Sequence, residues 1–393
     1  MGKIDELIKQ LCQCGVKRVK LVDYAKVQYG FAFNSKLFTD DSANIPLIRI
    51  RDVLPGKSST YYLGEYGDEY IVKKGDILVG MDGNFNLEKW NDRNGLLNQR
   101  VCKIFTKDAR MLLDGFLYHY LKPVLKKIEN SIQGSTVKHL SAKVINGIEI
   151  PLPPLAVQKE IVEILDTFTG MMDNLQKELD YRQKQFEYYR DKLFMFKGNI
   201  KNEELGKICS IKGRIGFRGY TKNDFVEFKK GAISLSPGDI KDNQLYFDNC
   251  SYISWDKYEQ SPEIIVERGD ILLCKTGSVG KTAIVQELPW KATINPQFVI
   301  LKNVELNNKY LFYALCLPCT QIEIKRLAGV GSVPNVSQAK LAKVEIPMPP
   351  LETQQEIVDK LDTFEALISN IKQEIELRQK QYEYYREKLL TFE

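Results

Sequence analysis

The chain has 393 residues, of which 44% are hydrophobic and 27% are charged, a composition that indicates a globular rather than a disordered protein and allows two or three domains. No apolar run approaches the roughly 18 residues that span a bilayer, and the N-terminal residues lack a signal-peptide core, so we expect a cytoplasmic protein without a membrane segment. The formal net charge of +5 does not by itself indicate a nucleic-acid partner, since a basic surface can be hidden in a balanced total.

The first predicted elements in chain order are an N-terminal leader over residues 1–18 and a globular unit over residues 19–150. Short β-type runs such as IPLIRIRDV and YIVKKGDILVG alternate in this unit with Gly, Asn and Asp, which is the pattern of strands joined by tight turns. We interpret the unit as a mixed α/β domain.

A long helical segment is predicted next, over residues 151–197. Pro153 and Pro154 mark the start of the helix, because proline is tolerated in a first helical turn and not beyond it. Apolar residues then follow at alternating steps of four and three from Ile161 onward, which is the heptad seam of a coiled coil. A helix of about 40 residues would be roughly 60 Å long.

The rest of the chain repeats this order, with a second globular unit over residues 198–346 and a second helical segment over residues 347–393. Residues 151–196 align without a gap to residues 347–392, with 25 identities in 46 positions. Both globular units contain a Gly-Asp-Ile-Leu run but differ in their loops. This internal pseudo-twofold repeat predicts an α+β chain in which two mixed α/β domains are separated by two long helices packed as an antiparallel coiled coil.

One stretch of the second unit, KTGSVGKTAI at residues 275–284, is close to a phosphate-binding loop. A Walker A loop needs a glycine five positions before its Gly-Lys-Thr, and that position is occupied by Lys275. The corresponding stretch of the first unit, GMDGNFNLEKW, has no Gly-Lys-Thr. We therefore predict no nucleotide site.

Eight cysteines without the spacing of a disulfide framework predict reduced thiols. Cys12 with Cys14 and Cys316 with Cys319 could each supply half of a zinc site. However, no histidine is near either pair in the sequence, and the two pairs are far apart. No metal site is predicted.

The repeated IPLPPLxxQxxIVxxL helix start, with Met at its third position in the second copy, and the repeated Gly-Asp-Ile-Leu run resemble the specificity subunits of type I restriction-modification systems over nearly the whole chain. The resemblance implies that each globular unit is a target recognition domain for one half of a bipartite DNA site, and that the helices set the number of unread base pairs between the halves. It also implies two methyltransferase subunits that carry S-adenosylmethionine and two restriction subunits that use ATP and Mg²⁺. The specificity chain itself would bind no cofactor and have no catalytic residues.

The loops of both units contain side chains suited to DNA. Arg and Lys contact phosphates, Arg pairs with guanine, and Asn or Gln pairs with adenine. Each such residue, taken alone, is more often a solvated surface residue than a base contact, so the prediction concerns the group. The predicted DNA-binding residues are Arg49, Arg51, Asn84, Asn86, Lys89, Arg93 and Arg100 in the first unit and Arg214, Arg218, Lys222, Lys275, Ser278 and Lys281 in the second.

The late part of each long helix contains an aromatic and charged run, QFEYYR and QYEYYR. Tyr189 and Tyr385 fall on the heptad seam, whereas Tyr188 and Tyr384 fall one step off it. Aromatic residues and Arg are enriched at protein interfaces. The predicted interface for partner subunits consists of Tyr188, Arg190, Tyr384 and Arg386.

Two other functions are compatible with parts of the sequence. Asn295–Phe298 is one residue away from the Asn-Pro-Pro-Phe/Tyr motif of amino-methyltransferases, but no glycine-rich cofactor loop precedes it, and two histidines offer little for acid–base catalysis. A coiled-coil structural adaptor without DNA specificity would have the same helices. DNA binding separates that adaptor from the specificity subunit that we predict.

Overall fold

A computed structural model describes residues 2–13, 15–132, 138–196, 198, 200–214, 220–329 and 332–392. The chain forms two compact units: unit 1 is Met1–Lys177 with Gln373–Glu393, and unit 2 is Glu178–Lys372. Each boundary falls inside a long helix, so each unit combines a β-rich part with half of each long helix. We call the β-rich parts head 1, residues 18–151, and head 2, residues 202–347.

Helices and strands alternate within each head. Among the described residues the helices are α1 (Gly2–Leu11), α2 (Leu21–Tyr24), α3 (Ile50–Val53), α4 (Asp114–Ser131), α5 (Ala142–Asn146), α6 (Leu155–Leu193), α7 (Leu205–Ile208), α8 (Trp255–Glu259), α9 (Asn308–Leu315), α10 (Pro318–Leu327), α11 (Gln338–Leu341) and α12 (Leu351–Leu390). The strands of unit 1 are β1 (Arg18–Lys20), β2 (Ala25–Tyr29), β3 (Phe38–Thr39), β4 (Ile45–Ile48), β5 (Tyr61–Tyr62), β6 (Ile71–Val72), β7 (Ile77–Gly80), β8 (Leu87–Lys89), β9 (Gly95–Leu97), β10 (Val101–Thr106) and β11 (Glu149–Pro151). Those of unit 2 are β12 (Asn202–Glu204), β13 (Ser210–Lys212), β14 (Phe225–Val226), β15 (Ala232–Leu235), β16 (Ile240–Lys241), β17 (Gln244–Leu245), β18 (Ser251–Ile253), β19 (Ile271–Cys274), β20 (Thr282–Ile284), β21 (Ala292–Ile294), β22 (Phe298–Lys302) and β23 (Glu345–Pro347).

The two heads share the order of their first sheet and the core of their second sheet, in which head 1 has a fifth strand, β6. Head 1 has an antiparallel sheet of order β2-β10-β7-β8, and head 2 has the equivalent sheet β13-β22-β19-β20. A second sheet follows the order β3-β5-β4-β9-β6 in head 1 and β14-β18-β15-β21 in head 2, with one parallel pair in each, β4 with β9 and β15 with β21. The predicted internal repeat and mixed α/β heads are thus confirmed.

The Gly-Asp-Ile-Leu run forms the same turn in both heads. Gly75 and Gly269 have φ angles of 94° and 93°, a left-handed conformation that favours glycine. The carboxylate of Asp76 accepts from the Lys73 N–H at 2.8 Å, and that of Asp270 accepts from the Glu267 N–H at 2.7 Å. The run therefore closes the turn that leads into a buried central strand.

The leader of unit 1 is attached to the core of head 1. Leu7 and Ile8 of α1 pack against the buried cluster that also contains Phe116 of α4 and Ile161 of α6. Within the described chain, no helix is both long enough and apolar enough to span a membrane, and no three His, Cys, Asp or Glu residues lie together as a metal site would require.

The long helices begin where the prolines predict, at Leu155 after Pro154 and at Leu351 after Pro350. In unit 1 the early part of α6 packs on the late part of α12, and the ring of Phe168 stacks on that of Tyr385 at 5.3 Å. In unit 2 the late part of α6 packs on the early part of α12, and Tyr189 stacks on Phe364 at 5.3 Å. These seam contacts confirm the antiparallel arrangement of the helices.

Buried polar groups join each head to its long helices, and they explain why the helix starts repeat. The Leu113 N–H donates to Gln158 Oε1 at 2.9 Å, and the Asn307 N–H donates to Gln354 Oε1 at 3.0 Å. Gln158 Nε2 also donates to the carbonyls of Met111 and Pro153 at 2.9 and 2.8 Å. The glutamine of the PPLxxQ run therefore satisfies backbone groups of the loop that precedes a head helix.

A second anchor uses the aspartate of the repeated Leu-Asp-Thr-Phe run. In unit 1 the buried His119 donates from Nε2 to Asp166 Oδ1 at 2.8 Å and accepts at Nδ1 from the Tyr382 hydroxyl at 3.1 Å. In unit 2 the Tyr313 hydroxyl donates to Asp362 Oδ1 at 2.8 Å. The two units therefore keep the aspartate and change its donor.

This difference predicts a pH response of unit 1. Burial lowers the pKa of His119 below its ordinary value, and the hydrogen bond to Asp166 only partly opposes the shift. Because unfolding frees the ring to bind a proton at higher pH, unit 1 should lose stability as the pH falls below about 6.5, by up to about 1.4 kcal/mol per pH unit.

The measurement is the denaturant midpoint of unfolding between about pH 7.5 and 5.5. His119→Gln keeps a donor for Asp166 without a titrating ring, so its midpoint should depend less on pH than that of the wild-type protein. Equal slopes for wild type and His119→Gln would contradict the prediction.

Candidate nucleic-acid interface

The antiparallel sheet β2-β10-β7-β8 of head 1 and its equivalent β13-β22-β19-β20 of head 2 each have one end beside a long helix and the other end in loops. In head 1, β8 ends at Lys89, whose Nζ lies 3.6 Å from Asp166 Oδ1 on α6. In head 2, Ile284 at the end of β20 lines a cavity together with Glu365 and Ser369 of α12. Since neighbouring strands are antiparallel, the β7–β8 and β9–β10 loops, and their counterparts in head 2, lie at the end away from the long helix.

The loops at this end of head 1 form what we call loop cluster 1, residues 49–51, 81–86, 98–100 and 138–139. The parallel pairing of β4 with β9 brings the first and third segments together, and the Asn98 N–H donates to Ile48 O at 3.3 Å. The Met81 N–H donates to Arg100 O at 2.9 Å, and the Gly83 N–H donates to Lys138 O at 2.8 Å. Backbone hydrogen bonds therefore join all four segments.

Loop cluster 1 contains three arginines, Arg49, Arg51 and Arg100. Arg49 and Arg51 both donate to the Thr60 hydroxyl, with Arg51 Nη2 at 3.2 Å, and the side chain of Arg51 is 64% exposed. Asp82 lies between Arg100, whose Nε is 3.4 Å away, and His139, whose Nδ1 is 2.5 Å away. The cluster therefore presents two exposed guanidinium groups, those of Arg51 and Arg100, which are suited to an anionic ligand.

A buried carboxylate holds the first segment of loop cluster 1. Asp52 accepts from the Arg49 N–H at 2.9 Å and from Ser58 Oγ at 3.2 Å. Burial raises the pKa of Asp52, although the bond to Ser58 opposes the shift. The same role belongs in head 2 to Asp239, which accepts from the Ser236 N–H at 2.7 Å. The backbone bond to an aspartate three residues later therefore repeats in both heads, but its donor residue is Arg49 in head 1 and Ser236 in head 2.

Head 2 has an equivalent loop cluster 2, residues 236–239, 275–281, 295–297 and 334–335. Its backbone bonds match those of loop cluster 1: Asn295 N–H to Leu235 O at 2.9 Å, Lys275 N–H to Gln297 O at 2.8 Å and Gly277 N–H to Pro334 O at 2.8 Å. Its side chains differ, since the Thr276 hydroxyl donates to Asn335 Oδ1 at 2.7 Å where head 1 has Asp82 and His139. One backbone frame thus carries two chemically different surfaces.

The nucleotide-like stretch of head 2 uses its polar groups internally. Lys281 Nζ donates to Pro237 O at 2.5 Å, and the buried Thr282 hydroxyl donates to Gly280 O at 2.8 Å. In a Walker A loop the equivalent Lys and Thr would face a phosphate and a metal ion. Here they stabilise loop cluster 2.

The structure brings together part of the predicted DNA-binding set. Loop cluster 1 contains Arg49, Arg51, Asn84, Asn86 and Arg100, and loop cluster 2 contains Lys275, Ser278 and Lys281. Asn84 and Ser278 are exposed at the loop tips beside Gly83 and Gly277, whose φ angles are 72° and 76°.

The remaining predicted residues lie elsewhere. Lys89 points at α6, its Nζ lying 4.8 Å from the Tyr118 ring centroid, and Arg93 donates to Asn44 O at 2.6 Å outside loop cluster 1. Arg214 is only 6% exposed and donates to Thr293 Oγ1 at 3.2 Å, and burial lowers its pKa, so its guanidinium is not on the surface. Lys222 is exposed in a separate turn before β14. Arg218 lies outside the described residues.

Sequence analysis missed Asp82 and His139 in head 1 and their counterparts Thr276 and Asn335 in head 2. The two pairs form isolated bridges at equivalent positions, Asp82 with His139 and Thr276 with Asn335. Aligning the segments VKHL and VPNV, which precede the repeated helix starts, would have pointed to His139 and Asn335. Their contact with the β7–β8 and β19–β20 loops is visible only in the folded heads.

The residues predicted to bind partner subunits differ in exposure. Tyr188 and Tyr384 are 60% and 62% exposed, and each contacts its seam neighbour edge-on at 5.3 Å between ring centroids. The Arg190 side chain is only 13% exposed and pairs with Asp191 at 2.8 Å, while Arg386 lies 5.2 Å from the ring centroid of Tyr382. The two tyrosines are therefore the accessible members of this set.

Comparison with known proteins gives a consistent result. Residues 14–181 and 199–377 each match the family model described as the type I restriction modification DNA specificity domain. The EcoBI type I restriction enzyme specificity subunit of Escherichia coli is 28% identical over 389 residues, covering 91% of this chain and 81% of that protein. A putative type I restriction enzyme specificity subunit of Haemophilus influenzae is 31% identical over 348 residues, covering 84% and 86%. A crystal structure of a type I restriction-modification S subunit from M. genitalium shares the fold, with a TM-score of 0.60 at 18% identity over 95% of this chain and 96% of that one.

Proposed function

Because the chain belongs to the family of type I restriction-modification DNA specificity proteins, we propose that it is the DNA specificity subunit of such a system, with one head for each half of a bipartite, asymmetric site. The observation that carries the proposal is that loop clusters 1 and 2 share one backbone frame and differ in their side chains. Two unlike half-sites require two surfaces with different donors and acceptors, and a duplicated scaffold supplies them.

The chemistry of the clusters fits double-stranded DNA. Exposed Arg51 and the partly exposed Lys275 can neutralise phosphates, while the Arg100 guanidinium and the amides of Asn84 and Gln297 can pair with base edges. The paired helices α6 and α12 would set the number of base pairs left unread between the half-sites.

The proposed partners are two methyltransferase subunits and two restriction subunits, acting with the specificity chain in the cytoplasm. S-adenosylmethionine would be bound by the methyltransferase subunits, and ATP and Mg²⁺ by the restriction subunits. The specificity chain would supply recognition and assembly and would have no catalytic residue of its own. The names of the relatives, which are specificity subunits of type I restriction enzymes, support this division of roles.

The experiment is co-expression with the type I methyltransferase subunit of the same genome, followed by single-molecule sequencing to map modified adenines. A methylated motif of two short, unlike halves around a fixed unread gap would establish the function. A complex that assembles normally but methylates no such motif would favour the structural adaptor.

The exposed tyrosines predict how the complex assembles. Substituting Tyr188 and Tyr384 together by Ser removes two exposed aromatic rings off the seam, so binding of the methyltransferase subunits should weaken by about 10- to 100-fold. The long helices α6 and α12 should remain folded. Size-exclusion chromatography with light scattering measures the complex, and circular dichroism measures the helices.

The matched control substitutes Tyr66 and Tyr246, which are exposed on the heads, by Ser. This control should leave the assembly unchanged. A normal complex from the Tyr188→Ser, Tyr384→Ser variant would count against the proposed interface.

A further inference from the structure

Arg100 of head 1 and Gln297 of head 2 occupy equivalent positions. Each is the last residue of the three-residue turn that joins the buried β9 to β10 or β21 to β22, and each is exposed. The carbonyl of each accepts one backbone bond from the neighbouring loop, from the Met81 N–H in head 1 and the Lys275 N–H in head 2. The backbone therefore holds one exposed side chain at the same point of each loop cluster.

Among the residues that the structure describes, the side chain of Arg100 is held at its Nε edge. Asp82 Oδ2 lies 3.4 Å from Arg100 Nε, while Asp82 Oδ1 accepts from His139 Nδ1 at 2.5 Å. An Arg pairs with guanine O6 and N7 through the two N–H groups at its terminal edge, which an acceptor at Nε leaves available. Arg100 also has a φ angle of 69°, an uncommon conformation for a residue other than glycine and one found disproportionately at functional sites.

The side chain of Gln297 is held by Asn295 in head 2. Asn295 Nδ2 donates to Gln297 Oε1 at 3.0 Å, and Asn295 Oδ1 accepts from the Gln297 N–H at 2.9 Å. This contact leaves Gln297 Nε2 and the second lone pair of Oε1 available. Those are the donor and the acceptor that pair with adenine N7 and N6.

We propose that Arg100 and Gln297 are base-reading residues, Arg100 for a guanine in the half-site of head 1 and Gln297 for an adenine in the half-site of head 2. Asp82 and Asn295 are positioning residues that orient these side chains, and His139 holds Asp82. The inference rests on the proposed function and deepens it by assigning a base to one position in each head.

The experiment first establishes the motif of the wild-type complex with its methyltransferase subunit. Methylation rates are then measured on duplexes that carry each of the four base pairs at each motif position. Arg100→Ala should lose discrimination by about 10- to 100-fold at one guanine of one half-site and leave the other half-site unchanged. Gln297→Ala should do the same at one adenine of the other half-site.

The role of Asp82 is tested by combining substitutions. Asp82→Ala alone should weaken discrimination at the guanine that Arg100 reads, and it should add nothing in an Arg100→Ala background. A merely structural effect of Asp82→Ala would persist in that background and would overturn the positioning role. Arg110→Ala is the matched control, because its side chain is 89% exposed beyond the opposite end of β10.

The outcomes separate this inference from the proposed function. Unchanged discrimination in Arg100→Ala, relaxation at a base other than guanine, or relaxation of both half-sites together would overturn the inference while a bipartite wild-type motif left the function standing. A wild-type complex without any motif would overturn the function itself.

Discussion

Substitution of Gln158 by methionine is expected to destabilise unit 1 by about 3–5 kcal/mol. The buried amide satisfies the Leu113 N–H and the carbonyls of Met111 and Pro153, all within 2.9 Å. Methionine is similar in length but can form none of these bonds, so three buried backbone groups would be left without their partner. Each such group costs roughly 1–3 kcal/mol, and the costs of neighbouring groups do not add fully.

The measurement is amide hydrogen exchange of the loop around Leu113 and of the start of α6, together with the denaturant midpoint. Gln354→Met removes the two corresponding bonds of unit 2, to Asn307 and Pro349, and should cost less, about 2–4 kcal/mol. Gln373→Met, at an exposed position of α12 in unit 1, is the matched control. Wild-type protection in Gln158→Met would show that the buried amide does not anchor head 1.

Substitution of Arg49, Arg51 and Arg100 together by Ala is expected to lower the affinity of the methyltransferase complex for its DNA site by about 10²- to 10⁴-fold. These residues supply three positive charges within loop cluster 1, and a site that combines phosphate and base contacts depends on such charges. For every phosphate that the variant no longer neutralises, the slope of log affinity against log salt concentration should also become shallower by about 0.9. Fluorescence anisotropy at several salt concentrations measures both quantities.

The control removes the same charge at the opposite end of head 1. Lys57, Lys73 and Lys74 are exposed near the turn at Gly75, on the side where the sheet meets α6. Their substitution by Ala should change affinity by less than about tenfold, since distant charges are screened by salt. Equal losses of affinity in the two triple variants would mean that general charge, and not loop cluster 1, governs DNA binding.

The helices were the most predictable part of the fold. Pro154 and Pro350 mark their starts, and the seam residues Phe168 and Phe364 meet Tyr385 and Tyr189 as an antiparallel pair. Such predictions succeed because heptad spacing and proline geometry are local properties of the chain.

The candidate interface was only partly predictable. The sequence does not distinguish the environments of basic loop residues. The side chain of Arg51 is exposed to solvent, that of Arg214 is buried, and that of Lys89 contacts α6. These environments depend on contacts with residues that are distant in the sequence, such as Thr293 for Arg214 and Asp166 for Lys89. Asp82 and His139 were missed for the same reason, because they are 57 residues apart and meet only in the folded head.

The sequence by itself determined that the chain is duplicated, that each copy ends in a long helix and that the two heads share a framework with different loops. Repeats, proline positions and heptads are patterns in the order of residues along the chain, so they can be recognised from the sequence alone. Only the tertiary structure decided which polar residues gather in loop clusters 1 and 2, because the parallel pairing of β4 with β9 and of β15 with β21 brings together segments that are distant in sequence. The side chains proposed to distinguish one base from another are therefore selected by strand pairing, a nonlocal interaction that no local pattern encodes.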